Sequence, residues 1–240
     1  MSVFHWDSAP DGCRVAFSTR LGGVSDGPFR SRNLGLLTGD EPARVLENRR
    51  LLCEELDVDP LRATMGRQVH GARVAEARPL GVLAAGTRYE ECDGLWTDQE
   101  GQPMLLLTAD CFPVALAAGS GPARLAVLHV GWRGLLAGIV EAGARAVGTA
   151  ARAIAGPGIG ACCFPVGSEV RDPYRARFGA DVLQGGNLDL RLALERALRA
   201  AGCERVEHVD RCTACEEELF FSHRRDRGVT GRQGVVGVLA

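Results

Sequence analysis

Leu125-Ala126-Val127-Leu128-His129-Val130-Gly131-Trp132-Arg133-Gly134 is the stretch that decides the architecture. The apolar run over 125–128 is short and gives way to a glycine-flanked turn, which predicts a buried strand. Beyond the turn, Leu136, Ile139, Val140, Gly143 and Val147 recur at helical spacing and predict one helix. Upstream, Met104-Leu105-Leu106-Leu107 reads as a second buried strand running into Thr108-Ala109-Asp110-Cys111. Two apolar strands thus give way to loops at Cys111 and His129, and strand ends are where sheets present polar groups to a ligand.

Outward from this centre, strands and helices interleave. Arg14–Ser18 predicts a strand leading into the polar turn Thr19-Arg20-Leu21-Gly22-Gly23. Glu41-Pro42 opens a helix, proline being tolerated in a first turn, and its apolar face is Val45, Leu52, Cys53 and Leu56. Asp189 is placed to cap a helix with the stripe Leu190, Ala193, Leu194, Ala197, Leu198 and Ala201. Arg205–Val209 predicts a strand, residues 214–224 a helix, and Val235–Leu239 a closing strand. The alternation lacks a clean βαβ rhythm, so the expected class is α+β (mixed α/β). With no repeat, low-complexity tract or linker, residues 1–240 are expected to form a single domain of mixed β-sheets flanked by helices.

Composition removes whole classes of function. The 240 residues include 28 basic and 30 acidic side chains, a net charge of −2, and 46% hydrophobic residues. That supports a sizeable core, and the balanced charge argues against nucleic acid as a partner. No window of about 18 residues is both apolar and uncharged, which argues against a membrane span. The opening Met1-Ser2-Val3-Phe4-His5-Trp6-Asp7 lacks the layout of a signal peptide, so a cytoplasmic monomer or homodimer is expected. All 28 basic residues are arginine, which excludes lysine Schiff bases, a pyridoxal-phosphate anchor and P-loop or kinase lysines. Nine cysteines, an odd number without an export signal, point away from a disulfide framework and toward metal or thiol chemistry. About two thirds of them are expected to be plain core residues.

Several motif matches dissolve on inspection. Gly23-Val24-Ser25-Asp26-Gly27 fits the nucleophile-elbow pattern, but Pro28-Phe29 does not open the helix that such an elbow requires, so a turn is expected. Gly156-Pro157-Gly158-Ile159-Gly160-Ala161 loosely resembles a dinucleotide loop, yet Pro165 would interrupt the first turn of its helix. Cys212-Thr213-Ala214-Cys215 suits zinc or thiol exchange, with Cys203, His208 or His223 as possible further ligands, but reduced structural cysteines are the blander reading. Vicinal Cys162-Cys163 is expected to be packing, with the two side chains on opposite faces of a strand.

His70, Cys111 and His129 are the better constellation. Two imidazoles and one thiolate form a three-ligand set that leaves zinc an open fourth position. Their separations match no metal motif, so a shared site and separate core roles both stay open. Asp110, beside the thiol, is a possible partner of a ligand, a proton carrier or a loop cap. Arg133 in its glycine-flanked turn and Arg20 in its glycine-rich one are candidate anion ligands. The cationic run Ser222-His223-Arg224-Arg225-Asp226 reads as a solvated helix end.

Taken together, Thr19-Arg20-Leu21-Gly22-Gly23-Val24-Ser25, Asn33-Leu34-Gly35, Gln68-Val69-His70-Gly71, Asp93-Gly94-Leu95 and Thr108-Ala109-Asp110-Cys111-Phe112-Pro113 resemble the YfiH-like laccase-domain family. His129-Val130-Gly131-Trp132-Arg133-Gly134, Gly156-Pro157-Gly158-Ile159-Gly160, the Cys212/Cys215 pair, Phe220–Asp226 and Thr230-Gly231-Arg232-Gln233 extend the likeness over roughly residues 14–236. The resemblance implies a metal site at His70, Cys111 and His129, and a fold similar to that of bacterial toxin deamidases, which use a Cys–His pair. It also implies zinc-dependent purine nucleoside phosphorylase, adenosine deaminase and methylthioadenosine phosphorylase activities, with purine nucleosides and phosphate as partners. The family is further associated with copper polyphenol oxidation and with editing of peptidoglycan precursors.

Elementary chemistry ranks these activities. A multicopper oxidase needs several more copper atoms beyond one His₂Cys site, and the five histidines here are too few, so Zn²⁺ is favoured over Cu²⁺. Zinc lowers the pKa of its water to about 7, as deamination at purine C6 requires; Asp110, Asp93 or a further group would carry the proton. Phosphorolysis instead needs fixed cations for phosphate, for which Arg20, Arg133 and Arg225 are candidates, with Asn33 as a hydrogen-bonding partner. The rival is a metal-free hydrolase in which Cys111 attacks and His129 takes the proton. A non-catalytic binding module ranks last.

Overall fold

A strand whose two sides both meet apolar partners has no polar face, and Leu125–Val130 is such a strand. Leu125 and Val127 point to one core cluster, while Ala126, Leu128 and Val130 point to another. This computed structural model describes residues 1–118, 121–148 and 150–240. Its strands are β1 (Val3–His5), β2 (Cys13–Ser18), β3 (Thr64–Met65), β4 (Val74–Glu76), β5 (Gly94–Thr97), β6 (Met104–Thr108) and β7 (Phe112–Ala118). They continue as β8 (Leu125–Val130), β9 (Ala150–Ala155), β10 (Leu183–Gln184), β11 (Asn187–Leu188), β12 (Arg205–His208) and β13 (Gln233–Leu239). The helices are α1 (Pro42–Glu55), α2 (Trp132–Ala137), α3 (Ile139–Val147), α4 (Ser168–Phe178) and α5 (Leu190–Ala200).

Two mixed sheets pack face to face, ordered β1-β2-β13-β6-β3 and β12-β9-β7-β8-β5-β4. Phe17, Met104, Leu106 and Val235 of the first meet Leu95, Ala115, Leu125 and Val127 of the second in a dry central layer. Each sheet covers its other face with helices. Leu105 and Val236 pack under Leu52 and Cys53 of α1, and Leu116, Leu128 and Val130 pack under α3, α4 and α5. The result is an α/β/β/α stack, the mixed α+β class that the alternating pattern predicts. The Val235–Leu239 strand lies at the centre of its sheet, between β2 and β6.

Most predicted elements form where expected, and Asp189 caps α5 by accepting the Leu192 N–H at 2.9 Å. Three expectations fail for identifiable reasons. The helix expected through Leu136 and Val147 is two helices, because Gly138 adopts φ 92° and turns the chain between α2 and α3. Residues 214–224 form turns rather than a helix, since their groups bond to distant parts of the chain: Leu219 C=O accepts the Arg20 N–H, Arg224 N–H reaches Asp110, and Phe221 N–H reaches Gln233. Adjacent Phe220 and Phe221 are both fully buried, which a surface helix does not allow. Cys162 and Cys163 lie in a 3₁₀ turn (Ala161–Cys163), so the strand alternation does not apply to them. Among the described residues, no helix is long and apolar enough to cross a membrane.

The buried face of α1 also holds two polar side chains that hydrophobic periodicity does not reveal. Asn48 donates to the Asn33 carbonyl at 2.9 Å and accepts the Val24 N–H at 2.8 Å, while Arg49 donates to the carbonyls of Leu34 and Val82. They fasten the irregular loop after β2 to the helix. Ser25 is buried in that loop, donating to Asp40 at 2.6 Å, which suits the turn reading and not a nucleophile elbow.

Candidate metal centre and active site

Strand pairing brings Cys111 and His129 together. Phe112 pairs with Val130 and Pro113 with His129, so the start of β7 lies beside the end of β8. His129 lies near the end of β8 and Cys111 immediately precedes β7, so the paired strand ends set the two residues side by side. His70 arrives on the loop between β3 and β4. The ligand atoms of His70, Cys111 and His129 lie within 4.8 Å of one another, and the two imidazole rings meet edge-on with centroids 4.8 Å apart.

Asp93 assembles this cluster. Fully buried just before β5, its carboxylate accepts the backbone N–H groups of Val69 at 3.0 Å, His70 at 2.9 Å and Gly71 at 2.8 Å. It also bonds Nδ1 of His129 at 2.8 Å, which fixes that ring and turns Nε2 toward the site. These bonds hold His70 at φ 61°, a conformation that a non-glycine residue adopts only when its surroundings enforce it. Burial pushes the Asp93 carboxyl up, but the His129 bond and the backbone N–H groups outweigh it and hold the pKa below the ordinary value.

The thiol and its imidazole polarise each other. Burial disfavours a charged Cys111, yet the positive charge of His129 and hydrogen bonds from both histidines bring its pKa down. Burial likewise disfavours protonated His129, and the Cys111 thiolate with Asp93 raises its pKa. Both shifts run in the direction that favours a thiolate–imidazolium pair. Gly131 provides the space, since a Cβ there would lie 2.9 Å from the Cys111 Sγ and 3.1 Å from the His70 Cδ2.

Asp110 is held on both oxygens, by the Thr213 hydroxyl at 2.7 Å and the Arg224 N–H at 2.7 Å. These bonds fix the orientation of Asp110 beside Cys111, as the backbone N–H groups and His129 fix that of Asp93.

The predicted phosphate ligands differ in their freedom. Arg133 is exposed and stacks over the Trp132 ring at 4.7 Å. Arg20 donates to the carbonyls of Arg30 and Glu217 and lies over Phe221. Arg225 is half-buried in a tight turn, paired with Asp226 and bonded to the carbonyls of Thr213 and Phe220, so the 222–226 run is not a solvated helix end. Asn33 is fully buried; its oxygen accepts from Gly35 and Arg232, and its nitrogen donates to Thr38 and Asp40. The sequence reading missed Arg232, a half-buried guanidinium whose pKa burial lowers against the opposing charges of Cys111 and Asp110. Its place in the segment Thr230–Gln233, which resembles the family, was the available signal.

The remaining cysteines sort differently from expectation. Cys212 and Cys215 meet Cys162 and Cys163, not Cys203, His208 or His223. Cys203 is buried core, His208 sits beside Glu195, and His223 is exposed. Five of the nine cysteines therefore belong to two polar clusters, so fewer than the expected two thirds are core.

With this geometry in hand, residues 14–240 match the family described as "Multi-copper polyphenol oxidoreductase laccase". The chain belongs to the YfiH-like laccase-domain family. It is 37% identical over 243 residues to "Purine nucleoside phosphorylase YlmD" of Geobacillus stearothermophilus, covering 92% of this chain and 88% of that protein. It is 36% identical over 232 residues to "Purine nucleoside phosphorylase YfiH" of Escherichia coli, covering 93% and 92%. The crystal structure of a Bacillus licheniformis hypothetical protein YfiH superposes with a TM-score of 0.89 at 30% identity, covering 98% of this chain and 99% of that one. As a YfiH-like laccase-domain protein, the chain carries the mixed-sheet fold of that solved relative.

Proposed function

We propose that this YfiH-like protein is a zinc-dependent purine nucleoside phosphorylase that also acts on adenosine as a deaminase and on methylthioadenosine as a phosphorylase. The observation that carries the reading is the convergence of His70, Cys111 and His129 within 4.8 Å, with Asp93 orienting His129 from behind. Two nitrogens and one sulfur with a buried carboxylate behind a histidine match the donor set and supporting bonds of a catalytic zinc site with one open position. Zinc bound there would supply a Lewis acid and a water of pKa near 7. Relatives named as purine nucleoside phosphorylases favour nucleosides and phosphate as the substrates.

In phosphorolysis the N-glycosidic bond breaks as a phosphate oxygen bonds to the anomeric carbon. Arg133, exposed and two residues beyond Gly131, is the guanidinium assigned to phosphate. Arg20, Asn33 and Arg225 act one step removed, holding the loops around the site through their bonds to the chain. A copper oxidase is disfavoured because, among the described residues, His70, Cys111 and His129 form the one histidine-containing group able to hold an ion.

One observation favours a second reading. Cys111 Sγ lies within 4.8 Å of His129, whose Nδ1 is bonded to Asp93, an order of nucleophile, base and orienting acid that suits a metal-free Cys–His hydrolase acting on peptidoglycan precursors. Phosphate-dependent adenosine turnover, assayed before and after chelation and again after zinc is restored, separates the two. Loss and recovery support the zinc enzyme. A metal-free protein with no nucleoside turnover, which cleaves a peptidoglycan precursor and is inactivated by iodoacetamide, would move the assignment to the hydrolase.

A further inference from the structure

The second cysteine cluster has no role in the reaction above. Cys162 Sγ lies 3.5 Å from Cys215 Sγ and 3.7 Å from Cys212 Sγ, and Cys163 Sγ lies 3.4 Å from Cys215 Sγ. All four sulfurs fall within 4.8 Å of one another, and all four thiols are free. Four thiolates around one zinc at about 2.3 Å stand about 3.8 Å apart at the corners of a regular tetrahedron. The three spacings fall just short of that edge, and none of the four sulfurs is more than 4.8 Å from another. In a cluster of several iron atoms, thiolates bound to different irons would stand farther apart than this.

Two further features fit an ion-binding knot. The Gly160 N–H points at the Cys212 Sγ at 3.2 Å, as supporting N–H groups do for metal thiolates. Gly160 also admits the sulfurs: a Cβ there would lie 3.2 Å from the Cys162 Sγ and 3.4 Å from that of Cys212. The ligands come from two turns with little regular structure of their own, at 161–163 and 212–215, which is where a metal contributes most to folding.

We propose that Cys162, Cys163, Cys212 and Cys215 bind one structural zinc ion. Each thiol loses its proton on binding, and the ion ties the two turns together. The tie reaches the active site. Thr213, between two of the ligands, donates its hydroxyl to Asp110 at 2.7 Å, and the Ile159 N–H, just ahead of the first turn, donates to the Asp110 carbonyl at 2.8 Å. Those bonds hold Asp110 at φ 85°, beside Cys111. The second ion thus fixes the strand start that presents the catalytic thiol.

The test counts metal where the first site has been removed. In a H70A/C111S/H129A variant, about one zinc per chain should remain, and X-ray absorption should show four sulfur neighbours at about 2.3 Å. Replacing that zinc with cobalt should produce strong thiolate-to-cobalt charge transfer. A C212S/C215S variant should lose this ion and melt at lower temperature; should it fail to fold, the triple variant still decides. A triple variant that folds without metal, holds zinc with fewer than four sulfurs, carries iron instead, or joins these cysteines in disulfides overturns the proposal. Because the triple variant lacks the first site, its result is independent of whether the protein is a nucleoside phosphorylase.

Discussion

Asp93 and His129 form the joint on which the candidate site turns: one buried carboxylate bonds the His129 Nδ1 at 2.8 Å and three backbone N–H groups of the His70 loop. Two of the three candidate ligands are thereby positioned by a residue outside the candidate set. Replacing Asp93 with Ala removes the acceptor of three part-buried backbone N–H groups, and a hydrogen bond to a charged group is worth about 1.5–3 kcal/mol. Asp93→Ala should therefore lower stability by on the order of 3 kcal/mol and weaken zinc binding about 10–100-fold. Urea denaturation and competition with a chelator measure the two effects; unchanged metal affinity would remove Asp93 from the site.

His70→Ala takes one donor from the set while leaving the Asp93–His129 bond in place. Phosphorolysis and deamination should disappear together, because both are assigned to one centre. Full phosphorolysis in a variant shown to lack metal at this site would sink the shared-site reading.

Gly131→Ala isolates steric pressure on the ligands. The position has φ −89°, which alanine adopts freely, so the backbone is unstrained. The new methyl would meet the Cys111 Sγ at 2.9 Å and the His70 Cδ2 at 3.1 Å. Overpacking costs about 1–3 kcal/mol; here that strain should fall on the ligands, so zinc affinity should drop by at least tenfold. Calorimetric titration with zinc reads this directly, and wild-type affinity would show that the site tolerates the methyl.

Thr213→Val removes the hydroxyl that Asp110 accepts while nearly preserving shape. A lost bond to a buried carboxylate costs about 1.5–3 kcal/mol. Turnover should fall as well, with kcat more affected than KM, because Cys111 is displaced rather than substrate binding lost. A stability change with kinetics untouched would separate Asp110 from the site.

Asp189→Ala is the contrasting case. It removes the cap of α5, which lies against the outer face of the six-stranded sheet, and should cost about 1 kcal/mol without altering turnover. A drop in kcat would mean that α5 transmits strain to the site.

Local pattern made some of this legible in advance and hid the rest. The stripe of α5 and its Asp189 cap, the buried runs of β6 and β8, and the helix opened by Pro42 follow from spacing alone. Asn48 and Arg49 were invisible to periodicity, because they are polar residues buried to bind a loop that folds over them. The helix expected at 214–224 failed for a related reason: hydrogen bonds to Arg20, Asp110 and Gln233 replace those of a local helix.

By itself, the sequence determined the residue types available for chemistry: arginine as the sole strong cation, two strands ending in Cys111 and His129, and a third histidine in a polar loop. Those properties are local, set by composition and by the periods of strand and helix. Tertiary structure alone decided which groups meet. Strand register set Cys111 beside His129, the carboxylate of Asp93 drew in His70, and packing of two turns joined Cys162 and Cys163 to Cys212 and Cys215. Such encounters depend on pairings between residues far apart in the chain, which no local period encodes.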